Sequence, residues 1–216
     1  MHAHAFDAYG TLFDVHDAVM RNATEIGAEA SRLSQLWRAK QLEYTWVLNG
    51  IGAYEDFWTL TERALDTAIA MTGGLGDAMR QALLSAYADL EPYADVTDAL
   101  GRLKAAGATT IVFSNANRTM LQRALQASGL GGLVDHIVSV DSIKVFKPDP
   151  RTYALLDPWR RPGHTLTFYS SNRWDVAGAS ARGIETVWIN RVANPEEYAA
   201  FAPVRTAATL AAAIGA

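Results

Sequence analysis

AFDAYGTLFD, residues Ala5–Asp14, decides the reading of this chain. A short apolar run ends in an acid, Asp7. A Tyr-Gly turn, Thr11 and further apolar residues follow. That order describes a buried strand that delivers Asp7 to the mouth of a loop. Two later runs end in polar groups in the same way. TTIVFSNAN (109–117) ends at Ser114 and Asn115, and LTFYSSNRWD (166–175) ends at Ser170, Asn172 and Asp175. Between them KVFKPD (144–149) supplies Lys147. In a parallel sheet covered by helices the carboxyl ends of the strands share one crevice, and ligands bind there. Asp7, Ser114, Lys147 and Asp175 are therefore expected to meet.

Working outward, the pattern changes after Asp14. From Val15 to about Glu91 the apolar spacing is helical throughout. It predicts helices over 15–26, 28–48, 53–71 and 77–90, with breaks at Gly27, Asn49-Gly50 and Gly73-Gly74. The helix over 28–48 carries two apolar stripes, one through Leu33, Trp37, Tyr44 and Leu48 and one through Leu36, Ala39, Leu42 and Trp46. A helix with two apolar faces is expected to be covered on both. Phe57 falls among the apolar spacings of the third helix. Beyond Pro92, strand-like and helical runs alternate: strands over 109–113, 136–140, 166–169 and 186–190, helices over 119–128, 150–156 and 174–182, a further helix after Asp95, and an Ala-rich terminal helix over 207–214. Such alternation implies a parallel sheet with right-handed crossovers. The expected architecture is a Rossmann-like α/β core, residues 1–14 and 92–216, with a helical cap domain, 15–91, inserted after the first strand. A cap over the carboxyl edge of the sheet would exclude water from the crevice.

Composition narrows the classes. The chain has 216 residues, half of them hydrophobic, enough for a substantial core. Its net charge is −4, and no basic stripe suggests nucleic-acid binding. Cys is absent, which removes disulfides, thiolate metal sites and a Cys nucleophile together, and fits a reducing cytoplasm. Neither a signal peptide nor a membrane-spanning run is evident. His2 and His4 alternate with Ala near the N-terminus, but no third metal ligand accompanies them.

The polar residues suggest a chemistry. A carboxylate such as Asp7 can attack an electrophilic carbon or phosphorus and form a covalent intermediate; it can equally cap a turn. Lys147 beside it would keep it ionised. Ser114 and the N–H groups after it can bind an anionic substrate group or cap the next helix. Thr11, Ser170 and Asn172 can hold one oxygen of Asp7 and aim the other. Asp175 can assist a water or sit as a first-turn acid. Arg38, on a helix near Leu42, reads by itself as a surface cation with its stem on apolar neighbours.

Taken together, DAYGT (7–11), SNAN (114–117), KPDPRTY (147–153) and SSNRWD (170–175) resemble the haloacid dehalogenase superfamily, and LWRAKQLEYTW (36–46) resembles its L-2-haloacid dehalogenases. The similarity runs in register from about residue 5 to 191. It implies a cofactor-free, metal-independent hydrolysis of short 2-haloacids with inversion. Asp7 would displace the halide, and water would then cleave the resulting ester. By the same resemblance Ser114 and Asn115 would hold the substrate carboxylate, and Arg38 with Asn115 would receive the halide. Lys147 and Tyr153 would organise Asp7 and the substrate; Thr11, Ser170, Asn172 and Asp175 would place Asp7 and the water. Tyr9, Leu42, Phe57 and Trp174 match pocket walls. The resemblance further implies a homodimer built through the cap helices, with a small-molecule 2-haloacid and a halide ion as its ligands and neither nucleic acid nor membrane as partner. Three departures stand out: Ala39 where some relatives carry Gln, Ala116-Asn117 in place of Gly-Ser, and a shortened stretch at 157–162. The superfamily's metal-dependent phosphatases are the alternative. They place a second Asp two residues after the nucleophile and acids near the fourth motif; here those positions hold Tyr9 and the uncharged Ser170-Ser171-Asn172. A non-catalytic binding module would show a damaged nucleophile or counter-ion, and an α/β-hydrolase would show a nucleophile elbow with a His base; neither is visible.

Overall fold

A computed structural model describes residues 2–215; Met1 and Ala216, the outer ends of the expected core, lie outside the described residues. Six strands form one sheet: β1 (His2–Phe6), β2 (Thr109–Ser114), β3 (His136–Ser139), β4 (Thr165–Ser170), β5 (Glu185–Ile189) and β6 (Arg205–Ala207). Every pairing is parallel and the spatial order is β3-β2-β1-β4-β5-β6. The order reverses direction at β1, so the crevice opens where β1 lies between β2 and β4. Phe6 pairs in register with Val112 on one side and Tyr169 on the other. Asp7, Ser114 and Ser170 therefore emerge together at one edge.

Ten α-helices are found among the described residues. They are α1 (Asp17–Met20), α2 (Ala23–Ile26), α3 (Ala30–Ile51), α4 (Phe57–Met71), α5 (Asp77–Ala88), α6 (Val96–Ala105), α7 (Arg118–Ala127), α8 (Pro150–Tyr153), α9 (Arg173–Ala181) and α10 (Leu210–Ile214). The single helix expected over 15–26 is two short ones, interrupted at Arg21-Asn22, where Asn22 Nδ2 bonds the Ala18 carbonyl. A side chain that captures a backbone acceptor competes with the helix in this way. The expected terminal helix over 207–214 begins only at Leu210. Arg205–Ala207 pairs with β5 as a sixth strand that apolar spacing does not disclose.

The helices α1–α5 leave and rejoin the sheet through a narrow neck. Tyr93 N donates to Leu12 O (2.9 Å), Asp14 N donates to Glu91 O (3.1 Å), and Phe13 bridges Pro92. Arg191 locks this neck: it pairs with Asp95 (2.8 Å), donates to Thr11 O (3.1 Å) and lies 4.0 Å from the Tyr93 ring centroid. Further along, the helical segment is bolted to the core over the crevice. Asn49 and the Phe146 backbone exchange two hydrogen bonds, of 2.6 and 3.0 Å. Tyr54 donates to Asp141 (2.5 Å). Asp56, which caps α4, accepts from Asn117 (2.7 Å), which in turn caps α7.

On α3, Leu33, Trp37 and Leu48 are buried as their stripe predicts. The second stripe is covered only in part within this chain: Leu36 packs against the core and Leu42 lines the crevice, whereas Ala39 and Trp46 are exposed, as are Val47 and Ile51 beside them.

Candidate active site

Asp7 follows directly from β1, its backbone still held to the sheet by Asp7 N donating to Tyr169 O (2.9 Å). The chain then turns at Gly10, whose φ of +94° lies in the left-handed region. A Cβ there would make only ordinary contacts, 3.7 Å from Asn172 and 4.0 Å from Arg38, so the backbone angle rather than space calls for glycine.

The two oxygens of Asp7 are treated differently. Oδ2 accepts from Asn172 Nδ2 (2.7 Å), Thr11 Oγ1 (3.1 Å) and Ser170 Oγ (3.4 Å). Oδ1 receives only Lys147 Nζ, at 3.3 Å. Thr11 is itself aimed by Ser171 N (2.8 Å), and the Ser170 hydroxyl accepts from Asn172 N (3.1 Å). These supports come from the start of α9 and the end of β4, which explains the SSNRWD spacing.

Lys147 is 1% exposed. Its three ammonium protons have three acceptors: Asp7 Oδ1, Asp175 Oδ2 (2.9 Å) and Phe113 O (2.8 Å). Nζ also lies 4.0 Å from the Phe113 ring centroid and 5.0 Å from that of Phe168, contacts that favour the cation. Asp175 is fully buried; Tyr153 Oη donates to its Oδ1 (2.7 Å). Burial pushes the Asp175 carboxyl up to about 6, with the neighbouring Asp7 charge adding to the rise and Lys147 opposing it. Burial likewise drives the Tyr153 and Tyr9 hydroxyls well above their usual range.

A small cavity is lined by Asp7. Ser114, Asn115 and Lys147 line its sheet side, and Tyr9, Asn172 and Trp174 close it laterally. Arg38, Leu42 and Phe57 cover it from α3 and α4. The space is about 10 Å³, on the order of what one water requires, roughly 10–15 Å³. Ser114 Oγ accepts from Ala116 N (3.2 Å), and Asn115 Oδ1 accepts from Lys147 N (2.9 Å). Arg38 is not a surface cation. Its guanidinium reaches Tyr9 O (3.1 Å), Asn172 Oδ1 (3.5 Å) and Gln41 Oε1 (2.8 Å). Phe57 is 2% exposed and forms part of the wall as well as the core.

Every expected site residue thus lies in or directly behind one cavity. Thr11, Ser170, Tyr153 and Asp175 stand behind Asp7 and Lys147 rather than facing the space. Sequence reading missed Gln41, Thr61 and Tyr87, a buried group behind Arg38, and Arg173, whose side chain turns away from the cavity. Arg173 holds Glu196 and the carbonyls of Tyr198 and Phe201. The spacing of Gln41, three residues after Arg38 on α3, is the one signal that pointed to it. His2 and His4 stack on each other (4.4 Å) near the amino end of β1, away from this edge. Among the described residues no group of three or more His, Asp or Glu is placed to hold a metal ion, and no helix is long and apolar enough to cross a membrane.

An acid-bearing loop after the first strand, a lysine between two carboxylates and a helical cover are features of one hydrolase class. The family model for haloacid dehalogenase-like hydrolases matches residues 1–181, and the chain belongs to that family. Within it the chain is 50% identical over 205 residues to (S)-2-haloacid dehalogenase 1 of Pseudomonas sp. (strain CBS-3), covering 93% of this chain and 88% of that one. A crystal structure of a dehalogenase superposes with a TM-score of 0.94 at 44% identity, covering 99% of this chain and 95% of the other. L-2-haloacid dehalogenase from Xanthobacter autotrophicus, with chloropropionic acid covalently bound, superposes with a TM-score of 0.88 at 30% identity, covering 98% and 96%.

Proposed function

We propose that this chain is an (S)-2-haloacid dehalogenase that converts short 2-haloacids to 2-hydroxy acids with inversion, through an ester on Asp7. The observation that carries this is the asymmetry of the Asp7 carboxylate. Three donors occupy Oδ2, whereas Oδ1 meets only Lys147, and Asp7 lines the cavity. Oδ1 therefore keeps a lone pair for in-line attack on the halogen-bearing carbon, and the donors on Oδ2 stabilise the ester carbonyl as it forms. The substrate carboxylate rests on Ser114 and the Asn115 backbone, and the halide departs toward Arg38. Asp175, with Asn172 and Ser170, then directs water onto the ester carbonyl of Asp7. Covalently bound chloropropionic acid in the Xanthobacter autotrophicus relative supports the same sequence of events.

Charge argues in the same direction. The Lys147 ammonium is itself the cation between Asp7 and Asp175. Tyr9, two residues after Asp7, is buried with its hydroxyl pushed far up, so it is unsuited to the acid–base role an acid fills there in phosphatases.

The division into an α/β core (1–14, 92–216) and a helical cap (15–91) is supported by the neck at 12–14 and 91–93. The small size of the cavity supports a preference for short substrates. Apolar Val47 and Ile51, exposed on α3, support a homodimer through the cap. The absence of Cys supports a cytoplasmic location. The test is halide release from (S)-2-chloropropionate. The wild-type chain releases chloride and Asp7→Asn loses about 10³-fold or more in rate; an Asp7→Asn variant at wild-type speed refutes the proposal.

A further inference from the structure

Arg38 lies at the leaving-group end of the cavity, yet all three of its acceptors are neutral: Gln41 Oε1, Tyr9 O and Asn172 Oδ1. Among the described residues no carboxylate forms an ion pair with it. The shortest of the three bonds, 2.8 Å, goes to Gln41, which is 1% exposed. The amide of Gln41 is in turn oriented from behind. Its Nε2 donates to Thr61 Oγ1 (2.7 Å) and to the Tyr87 hydroxyl (3.0 Å). Thr61 spends its own proton on Phe57 O (2.8 Å), so it can only accept from Gln41. This fixes the direction of the chain: Gln41 turns its NH₂ toward Thr61 and its carbonyl toward Arg38. Thr61 is fully buried and Tyr87 nearly so.

We infer that Gln41 is a positioning residue: it aims the Arg38 guanidinium at the departing halide while leaving its charge uncompensated. The inference rests on the proposed dehalogenase reaction and adds a residue to it. A carboxylate at position 41 would hold the guanidinium as firmly. It would also cancel the charge that a leaving anion needs, because an opposite charge in contact attracts far more strongly than a neutral dipole in a dry site. The amide provides orientation without neutralisation. Chloride, smaller and with more concentrated charge than bromide, depends more on this donor as the carbon–halogen bond breaks.

The test compares kcat/KM for (S)-2-chloro- and (S)-2-bromopropionate, which reports the displacement step, together with inhibition by added bromide. Gln41→Glu lowers kcat/KM for the chloro substrate by about 10- to 100-fold and for the bromo substrate by less. It also weakens bromide inhibition by roughly 10-fold. Thr61→Val and Tyr87→Phe keep Gln41 but remove its orienting hydroxyls, and each raises the bromo-to-chloro ratio by about 2- to 5-fold. Equal losses on both substrates in Gln41→Glu, with bromide inhibition unchanged, overturn the inference. If Gln41→Glu does not fold, the two milder variants decide, and an unchanged ratio in both overturns it. Absence of halide release by the wild-type chain refutes the dehalogenase reaction instead, and so is distinguishable from failure of the role given to Gln41.

Discussion

Replacing Lys147 by Met removes the cation from between two buried carboxylates while keeping most of the side-chain volume. In the intact protein Nζ stands 3.3 Å from Asp7 Oδ1 and 2.9 Å from Asp175 Oδ2, with the lysine 1% exposed and Asp175 fully buried. Removing one partner of a buried charge pair costs about 3–5 kcal/mol, because the remaining charges lose their compensation without regaining water. A domain of ordinary stability, about 5–15 kcal/mol, remains folded after such a loss but unfolds at clearly lower denaturant. The deficit depends on pH with a definite sign. The Asp175 carboxyl titrates near 6 in the folded protein, above its ordinary value, so the folded state binds more protons than the unfolded state between about pH 4 and 6. Stability from this group is present at low pH and is lost as pH rises through 6. Without Lys147 the rise is larger, so Lys147→Met falls further behind wild type as pH goes from 5 to 8. Urea unfolding of both proteins across that range measures the deficit. A loss under about 1 kcal/mol at pH 8, or one independent of pH, refutes the electrostatic role given to Lys147.

Two further outcomes follow from the same geometry. Tyr153→Phe removes the 2.7 Å bond that holds Asp175 ionised, so the acidic limb of the ester-hydrolysis rate moves up by about 0.5–1 pH unit, the equivalent of roughly 1 kcal/mol; a stationary limb in the rate profile separates Asp175 from the hydrolytic step. Gly178→Ala would place a Cβ 2.8 Å from the Tyr153 ring, forcing Tyr153 away from Asp175. It lowers stability by about 1–3 kcal/mol and slows ester hydrolysis more than halide release, which thermal unfolding and a burst assay check.

Much of this site could be read from strand ends. Asp7, Ser114, Asn115 and Ser170 are each the polar terminus of an apolar run, and a parallel sheet brings such ends together whatever their separation in sequence. Lys147 and Asn172 followed from spacing to those ends. What could not be read depended on the register between helices. Gln41, Thr61 and Tyr87 sit on α3, α4 and α5, and nothing local to any of them announces that three polar groups will share one dry space. Arg38 has the sequence context of a surface residue; only the placement of α3 over Gly10 turns it inward. The helical break at Arg21-Asn22 and the strand at Arg205–Ala207 arise from a side-chain capture and from pairing with β5, neither of which leaves a periodic trace. The second apolar stripe of α3 was legible as apolar, but not that Leu36 and Leu42 would be covered while Trp46 stays exposed.

The central claim is that a protein oxygen, Asp7 Oδ1, displaces the halide. A single turnover with enzyme in excess over (S)-2-chloropropionate in ¹⁸O-enriched water tests it most directly, with mass spectrometry of both product and enzyme. The account predicts lactate whose hydroxyl oxygen is the light isotope and a peptide containing Asp7 that has gained the heavy one. Lactate carrying ¹⁸O from that first turnover, with Asp7 unlabelled, would mean that water made the displacement and would contradict it.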